Sequence, residues 1–600
     1  MASVTVLLSV MGADPEEILC KLNISGPSVV IDQCDRNGRE YFPDKNCLYV
    51  RTTERGLSRS RNAAIEEAGA LGAELCIFCD NDVLYRDDYE EVIEKSFERN
   101  PDSDILVFFV ERPERHKPIF DREKRLDKLH SMKVFSPEVA FRLSSLKRSH
   151  LKLDTLFGAG GKYKMGEENI LLFDAMAAGL KVTYVPIRIA GTVENESTWF
   201  KGFTREFFKD RGAGYYRMSP SLFSFLTLQF ALRKRKLYSG TTGFFEALSA
   251  MGQGKKEYLK EERYMIIGDI TSGTGPANAT AALLDRMPGN TLYLKEKDKA
   301  ARAWEILCKL HKADAVVFSG HSRQNIFGMK LARIFGKPSV YIMHGAVEHE
   351  NKINLVPDEG MASDERKMME LADKILAVSQ TFENWLKENY REYEHKISHL
   401  TNGIERMDTY VNQLGQDSGG LHNSAEADKK IRLISVGGGM PRKRIRVICR
   451  AVEILVNKGM DVTLNVAGAP GLDTKEIDKW DFVNDPGLVT GEKMKKLYRS
   501  SRIFIQNSVF ETFGLAPLEA LSEGCDILIS DRCGVIEVLG ELREGDLIRN
   551  PEDTEEIAGK IEGLLKEGNN RRIRENMDID GNSWNKRAEE LCRILREMKK

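Results

Sequence analysis

Short runs of apolar residues alternate with longer polar segments along almost the whole chain. In the first part, runs such as TVLLSV and DILVFFV are separated by stretches of helical character at 59–70 and 86–99. The alternation restarts with YMIIGDI at 264–270 and continues through PSVYIMHG and RIFIQN. Buried strands that alternate with surface helices are typical of α/β domains built on mainly parallel sheets.

Interruptions of this alternation divide the chain into candidate domains. The segment between the two halves is charged, and the later segment 408–430 is rich in Gly, Ser, Asn and Asp, as linkers and surface loops are. A length of 600 residues has room for several domains. The pattern predicts α/β domains at 1–245, 263–407 and 431–600, joined by a linker at 246–262 and a linker or loop at 408–430.

Composition excludes several classes of protein. Lys plus Arg is 89 and Asp plus Glu is 91, so the net charge of −2 argues against a general nucleic-acid binder. Hydrophobic residues make up 42% of the chain, which is too many for a disordered protein. No run of 18 apolar residues is present, and the start of the chain lacks a basic segment of the signal-peptide type. We therefore expect a cytoplasmic protein.

Two carboxylates follow a buried-looking strand in the first domain. The run LCIFCDNDV places Asp80 and Asp82 directly after the strand, and ligands of parallel sheets bind beyond the carboxyl ends of strands. A divalent cation that carries a diphosphate is a natural partner for such a pair, because Mg²⁺ uses one or two carboxylates plus phosphate oxygens. An Asx-rich turn is the alternative reading of the same residues.

Further motifs lie on both sides of this pair. The segment Arg55–Asn62 (RGLSRSRN) opens a helix upstream, and Gly166-Glu167-Glu168-Asn169 precedes an apolar helical run downstream. The ordered set resembles the family 2 glycosyltransferases of the GT-A fold over about 1–240. The resemblance implies an inverting enzyme with Mn²⁺ or Mg²⁺ held by Asp82, and with Asp80 near the metal and the ribose.

The same resemblance implies a catalytic general base in the Gly-Glu-Glu motif. The base maps to Glu168, but a glutamate replaces the commoner aspartate, so Glu167 and Glu168 both stay open. Two acids that compensate a helix dipole are the alternative for this pair. The family also often has an aspartate that recognises the base of the nucleotide, and Asp32 and Asp35, in VVIDQCD, are weaker matches to it. For Asp32, a turn residue at the end of a strand is an equally good interpretation.

The third domain contains the most specific motif of the chain. Glu511 precedes a predicted helix and Glu519 lies in its first turns, because Pro517 suits the start of a helix. Gly514 permits close approach of the backbone to a ligand, and exposed N–H groups at a helix start favour a diphosphate or sugar. Compensation of the helix dipole is again the alternative reading of Glu519.

This Glu-x7-Glu pattern resembles the family 4 glycosyltransferases of the GT-B fold, over about 264–590. Other segments keep the family order: GTGP at 273–276, His344-Gly345, ADKILAVS at 372–379, NGI at 402–404 and VGGGMPRK at 436–443. The fold class implied for the whole chain is α/β, with an N-terminal GT-A nucleotide-diphospho-sugar transferase domain and a C-terminal GT-B pair of Rossmann-like domains.

The GT-B resemblance assigns roles residue by residue. It places Glu511 and His344 at the donor sugar, Glu519 at the nucleotide ribose and Lys443 at the diphosphate, with retention of configuration and no metal. Gly438 stands where the family has an arginine, and Arg442 or Arg444 is the candidate substitute. The remaining candidate donor-binding residues are Gly275, Phe513, Gly514 and Leu515.

Together the two resemblances imply a bifunctional glycosyltransferase that extends a surface polysaccharide. UDP- or GDP-sugars are the expected donors, and a glycan or lipid-linked glycan is the expected acceptor. The segment 218–240 joins Phe and Leu residues to four consecutive cations, which fits a membrane-surface helix at the inner face of the membrane or a helix packed on the first domain. Two alternatives remain: a single catalytic domain beside a glycan-binding module, and a nucleotide-sugar epimerase or hydrolase.

Overall fold

The protein is described by a computed structural model that covers residues 3–193, 200, 202–296, 298–356, 358–405 and 430–599. The chain divides into two compact units, Met1–Glu261 with Pro288–Asn290 and Glu262–Met287 with Thr291–Lys600. Of the segment predicted as a linker at 408–430, all but Lys430 lies outside the described residues. None of the described helices is long and apolar enough to span a bilayer.

The N-terminal unit is built on one mixed sheet with the order β3-β4-β2-β1-β5-β9-β7-β10-β6, and β8 pairs with β10. Strands β4, β2, β1 and β5 run parallel, whereas β9 is antiparallel to both of its neighbours. The strands are β1 (Val4–Val10), β2 (Ser28–Gln33), β3 (Gly38–Phe42), β4 (Cys47–Thr52), β5 (Leu75–Cys79), β6 (Val83–Tyr85), β7 (Ile105–Glu111), β8 (Lys124–Arg125), β9 (Val139–Arg142) and β10 (Val182–Thr192).

Helices cover both faces of this sheet, so alternate residues of β1 and β5 enter two separate hydrophobic clusters. Burial on both faces explains why these strands are continuous apolar runs. The helices are α1 (Pro15–Lys21), α2 (Leu57–Ala70), α3 (Tyr89–Arg99), α4 (Lys128–Ser131), α5 (Leu143–Arg148), α6 (Glu167–Ala177), α7 (Arg205–Met218), α8 (Phe223–Arg233), α9 (Arg235–Tyr238) and α10 (Phe244–Tyr258).

The segment predicted as a linker at 246–262 differs from the expectation, because most of it is helix α10. This helix packs on α7 through glycines: a Cβ atom at Gly254 would overlap the carbonyl oxygen of Lys209, and one at Gly212 would overlap that of Met251. Ala247, Ala250 and Met251 are buried in the same cluster as Phe208 and Tyr238. The charges that suggested a linker lie on this helix, whose glycine allows a close contact with α7.

The C-terminal unit contains two parallel six-stranded sheets, each at the centre of a Rossmann-like domain. The first has the order β12-β11-β13-β14-β15-β16 and the second the order β19-β18-β17-β20-β21-β22. The strands of the first sheet are β11 (Tyr264–Ile267), β12 (Leu292–Tyr293), β13 (Ala315–Ser319), β14 (Ser339–Met343), β15 (Lys374–Ala377) and β16 (Ile397–His399). Those of the second are β17 (Ile431–Val436), β18 (Val462–Ala467), β19 (Val483–Gly487), β20 (Ile503–Gln506), β21 (Asp526–Ser530) and β22 (Leu547–Ile548).

Helices lie between consecutive strands of each sheet, as parallel strands require. Those of the first sheet are α11 (Gly275–Arg286), α12 (Lys299–Leu310), α13 (Arg323–Ile334), α14 (Val347–Asn354), α15 (Glu359–Leu371) and α16 (Gln380–Asn389). Those that follow are α17 (Ile445–Asn457), α18 (Thr474–Ile477), α19 (Glu492–Arg499), α20 (Ala516–Ser522), α21 (Thr554–Lys566), α22 (Asn570–Glu575) and α23 (Trp584–Lys599).

The last helix returns to the first Rossmann-like domain, although 431–600 was predicted to form one domain. Helix α23 packs against α11. Arg596 Nε lies 2.8 Å from Glu262 Oε2, and Lys599 Nζ lies 2.9 Å from Asp314 Oδ1. The buried face of α23, which includes Leu591 and Leu595, lies in the same hydrophobic cluster as Leu283 and Leu284 of α11.

Candidate active sites

A buried arginine organises the carboxylates of the N-terminal unit. Arg61 lies on α2 with its side chain only 1% exposed. Its Nη2 is 2.6 Å from Asp80 Oδ1, and its Nη1 is 3.1 Å from Glu167 Oε1 and 3.0 Å from Ser136 Oγ. One guanidinium thus joins the residue after β5 to the first residue of α6. The helix motif in which Arg61 lies was noted in the sequence, but nothing there indicated these partners.

A glycine-rich loop holds α2 in this position. Leu57 N donates to Ala159 O at 2.8 Å, and a Cβ atom at Gly160, where φ is +78°, would lie 3.0 Å from Gly56 Cα. The side chain of Asn62 exchanges two hydrogen bonds with the backbone of Leu153, both at 2.9 Å. The two separated motifs at 55–62 and 157–161 therefore meet as one surface beside Arg61.

The two adjacent glutamates of α6 have different surroundings. Glu167 is buried and bonded to Arg61; burial raises its pKa, and the guanidinium opposes that rise. Glu168 is half-buried, and burial together with the charge of Glu167 raises its pKa. Among the described residues, no cation forms an ion pair with Glu168. Because Arg61 engages Glu167 and not Glu168, Glu168 is the more available of the two carboxylates for proton abstraction.

Asp82 is the better-placed residue for a metal. It is half-buried, and burial followed by repulsion from Asp80 raises its pKa, whereas Asp80 is already bonded to Arg61. No group of three or more metal-ligating side chains occurs within the described part of the chain. The donor set therefore fits a Mg²⁺- or Mn²⁺-like ion that completes its shell with phosphate oxygens and water, and it does not fit an all-protein metal cage.

Asp32 lies at the end of β2 and has a structural partner. Its Oδ1 accepts a hydrogen bond from Gly12 N at 2.5 Å, which ties down the loop after β1. Strand β1 separates β2 from β5, so Asp32 lies about 10 Å along the sheet edge from the carboxylates after β5. Asp35 is paired with Arg55 at 2.7 Å instead.

Glu511 is the centre of the charged cluster in the C-terminal unit. It is ion-paired with Lys443 Nζ and lies 3.2 Å from Arg442 Nη1. Burial alone would raise the pKa of Glu511, but Lys443 and then Arg442 outweigh it and lower the pKa to about 2. The carboxylate is therefore ionised at every physiological pH. Glu350 also approaches this cluster, with Oε2 3.6 Å from Arg442 Nε.

The backbone explains why residue 438 is a glycine. Gly438 has φ of +54°, and a Cβ atom there would overlap the carbonyl oxygen of Ala469. An arginine at this position would require the loop after β18 to move. Of the two candidate substitutes, Arg442 reaches Glu511, whereas Arg444 Nε is 2.5 Å from Glu552 Oε1. Of these two arginines, Arg442 therefore belongs to the charged cluster and Arg444 does not.

His344 directly follows β14 and connects the two Rossmann-like domains. Its Nε2 lies 2.7 Å from Ser319 Oγ, and its carbonyl oxygen accepts a hydrogen bond from Thr512 Oγ1 at 2.5 Å. Burial lowers the pKa of His344 to about 4, so the imidazole is neutral at pH 7. Thr512 follows Glu511, and thus His344 and Glu511 are held close together in space.

The rest of the Glu-x7-Glu segment divides into backbone and side-chain contributors. Phe513 is 2% exposed and packs in the core, so a donor contact at this position would come from its backbone. Gly514 has φ of +90°, and a Cβ atom there would lie 2.8 Å from Gln506 Nε2. Leu515 caps α20, and Glu519 in its first turn accepts a hydrogen bond from the Tyr498 hydroxyl at 3.3 Å.

Gly275 is the first residue of α11, where Thr274 caps the helix. It is exposed, and nothing lies within 4 Å of the position of its missing Cβ atom. A ligand can therefore approach the backbone at this helix start.

Glu350, which lies beside Arg442, is a residue of the charged cluster that the sequence argument missed. Its position on the helix that follows His344-Gly345 is the signal that could have found it.

Comparison with known proteins identifies part of this unit. Residues 421–580 match the model of the family described as glycosyl transferases group 1. The C-terminal unit carries a glycosyltransferase group 1 domain. The matched segment includes the charged cluster of Lys443, Arg442 and Glu511. The chain is also 23% identical over 209 residues to an uncharacterized glycosyltransferase of Methanocaldococcus jannaschii, covering 32% of this chain and 51% of the relative.

Other similarities are shorter or structural. O-antigen chain mannosyltransferase B of Escherichia coli is 29% identical over 148 residues, which cover 23% of this chain and 38% of the relative. The chain thus spans about half or less of these curated relatives. Sucrose-phosphate synthase of Thermosynechococcus elongatus has a TM-score of 0.43 at 15% identity, covering 56% of this chain and 99% of that chain. Anabaena HepE in complex with UDP and glucose has a TM-score of 0.41 at 12% identity, with 56% and 100% covered.

Proposed function

We propose that the chain is a bifunctional glycosyltransferase that adds sugars from nucleotide-sugar donors to a growing glycan. The observation that carries the proposal is the cluster of Lys443, Arg442 and Glu511 inside the segment that matches the group 1 glycosyltransferases. The arrangement of Arg61, Asp80, Glu167 and Glu168 supports a second, separate site in the N-terminal unit.

In the C-terminal unit the transfer proceeds with retention and without a metal. Lys443 and Arg442 supply positive charge at the leaving diphosphate, which stabilises the charge that develops as the bond to the sugar breaks. The permanently ionised Glu511 holds this pair of cations in place and accepts hydrogen bonds from donor-sugar hydroxyls. Glu519 receives the ribose, and the neutral His344 can hydrogen-bond the sugar near the reacting carbon.

In the N-terminal unit the transfer proceeds with inversion. Glu168 takes the proton of the acceptor hydroxyl as its oxygen attacks the anomeric carbon from the face opposite the leaving nucleoside diphosphate. Asp82 would hold a divalent ion that neutralises the diphosphate when it is bound. Arg61 keeps Glu167 and Asp80 engaged, so that Glu168 alone is available as the base.

The acceptor class is inferred from the relatives. The E. coli relative is an O-antigen chain mannosyltransferase, and we infer a polysaccharide acceptor of the same kind, to which two different linkages are added. A lipid-linked acceptor would place the reaction at a membrane surface. UDP- and GDP-sugars are the donor classes to be tested first.

Release of nucleoside diphosphate from a panel of nucleotide sugars tests the two-site proposal. With a mixed glycan acceptor pool, we expect two donors to be consumed, one of them only in the absence of EDTA. Asp82→Asn should abolish the EDTA-sensitive release and leave the other unchanged, because only the N-terminal site uses a metal.

Consumption of a single donor across the panel would contradict bifunctionality, and its response to EDTA would identify the active unit. An epimer or a free sugar formed without acceptor would contradict transfer itself and favour a nucleotide-sugar epimerase or hydrolase.

Lys443→Met tests the proposed diphosphate contact in the C-terminal unit. We expect kcat/KM of the EDTA-insensitive transfer to fall about 10- to 100-fold, because hydrogen bonds between charged partners contribute about 1.5–3 kcal/mol. The matched control is Lys458→Met, which removes a half-exposed lysine that is paired with Glu562 at the surface. Equal activities of the two variants would show that Lys443 does not contact the diphosphate.

A further inference from the structure

Helix α8 carries an apolar stripe that nothing in the described chain covers. Phe225, Leu228 and Leu232 are 50%, 48% and 57% exposed. At 3.6 residues per turn, these three positions fall within about 60° of one another around the helix. The opposite face is buried through Leu226 and Ala231, so packing on the N-terminal unit explains one face of α8 and leaves the other unexplained.

Positive charge follows directly on this stripe. Arg233, Lys234, Arg235 and Lys236 are all exposed, and the sequence contains no Asp or Glu from Arg211 to Phe245. The next turns add further exposed apolar side chains, Leu237 at 61% and Phe245 at 82%. The segment from Phe223 to Phe245 is therefore apolar and cationic on its exposed surface, within a chain whose net charge is −2.

We propose that this segment, Phe223–Phe245, is a docking surface for an anionic lipid bilayer. Phe225, Leu228 and Leu232 would enter the boundary between headgroups and acyl chains, with α8 lying in the plane of the membrane. The four cations would meet lipid phosphates, and their long side chains can reach the headgroup level from a helix at that depth.

Co-sedimentation with vesicles tests the surface with no need for glycosyl transfer. The full chain should sediment with phosphatidylglycerol-rich vesicles and remain in solution with pure phosphatidylcholine vesicles. High salt should weaken the binding about tenfold, because the attraction falls off within a Debye length. The combined variant Phe225→Ser, Leu228→Ser and Leu232→Ser should lower the partition coefficient about tenfold or more.

Two further variants keep the result interpretable. Replacing Arg233, Lys234, Arg235 and Lys236 with Gln should remove the preference for anionic lipid while the circular dichroism spectrum stays unchanged. The control variant Leu472→Ser with Leu488→Ser removes exposed apolar side chains of the C-terminal unit and should bind as the wild type does.

Several outcomes would overturn the proposal. Equal binding to neutral vesicles would show that charge is not recognised, and no binding to either would show that the surface does not dock on lipid. A dimer in sedimentation velocity that is lost in the Phe225, Leu228 and Leu232 variant would mean that a second copy covers the stripe. These measurements do not depend on activity. The protein can therefore fail to bind vesicles and still transfer sugars, or bind vesicles and transfer none, so the two proposals are tested separately.

Discussion

Glu168→Gln is expected to abolish the EDTA-sensitive transfer, with kcat lowered about 10²- to 10⁴-fold, the range typical of a lost general base. The amide keeps the shape of the side chain but cannot take the acceptor proton. The EDTA-insensitive transfer of the same molecule is the internal control and should be unchanged. Both rates are measured as nucleoside-diphosphate release with the donor that each site consumes.

The pH dependence provides a second readout of Glu168. Because burial and Glu167 raise its pKa, kcat/KM of the N-terminal transfer should fall as the pH drops through that raised value. Glu168→Asp should retain such an acid limb at reduced activity, and Glu168→Gln should lack it. If the transfer survives in Glu168→Gln and is lost in Glu167→Gln, Glu167 and not Glu168 is the general base.

Stability should change in the opposite direction to activity. The pKa of Glu168 is higher in the folded state than in the unfolded chain, so the free energy of unfolding decreases as the pH rises above the pKa of the unfolded chain. Glu168→Gln cannot ionise and therefore avoids this loss. We therefore expect a small increase in the unfolding midpoint of the variant at pH 7 and none at pH 4, measured by chemical denaturation.

Arg61→Met is expected to cause the largest loss of stability. The substitution leaves Asp80 and the buried Glu167 without their cation, and breaking a buried ion pair from one side costs about 3–5 kcal/mol. Denaturant unfolding should show this loss in the transition of the N-terminal unit. The transition of the C-terminal unit should stay in place if the two units unfold separately.

Two comparisons separate the buried network from general loss of an arginine. Arg86→Met removes one member of an exposed pair with Asp88, and surface pairs contribute little. Glu167→Gln in the Arg61→Met background should recover part of the lost stability, because it removes one stranded charge. Without Arg61 the pKa of Glu167 rises further, because the guanidinium no longer opposes the effect of burial, so the loss should shrink as pH falls. A loss that is independent of pH would contradict this account.

Much of the fold could be predicted from the sequence, because it depends on local patterns. Continuous apolar runs such as Leu75–Cys79 are strands buried on both faces, and the polar segments between them are helices. Glu511 and Glu519 could be placed before and inside a helix because Pro517 marks its start. The departure at Gly438 was also visible, although its cause was not.

Tertiary structure alone decided which side chains meet. Arg61, Asp80 and Glu167 come from three separate parts of the chain, and no local pattern states that one guanidinium joins them. The same holds for Lys443 with Glu511, and for Glu350, which approaches them from another domain. Such pairs depend on how strands are ordered in a sheet and on how two domains of one unit meet.

The sequence also could not tell an exposed position from a buried one in its charged or mixed segments. Phe513 belongs to a motif that suggested ligand contact, yet its ring is in the core. The segment 246–262 has the composition of a linker, yet most of it is a helix held by glycine contacts to α7. The apolar and polar pattern therefore determined the α/β units and the chemical types available at each site. Long-range packing determined which carboxylate is bound by a cation and which is left to act, because burial and charge pairing are properties of the folded chain.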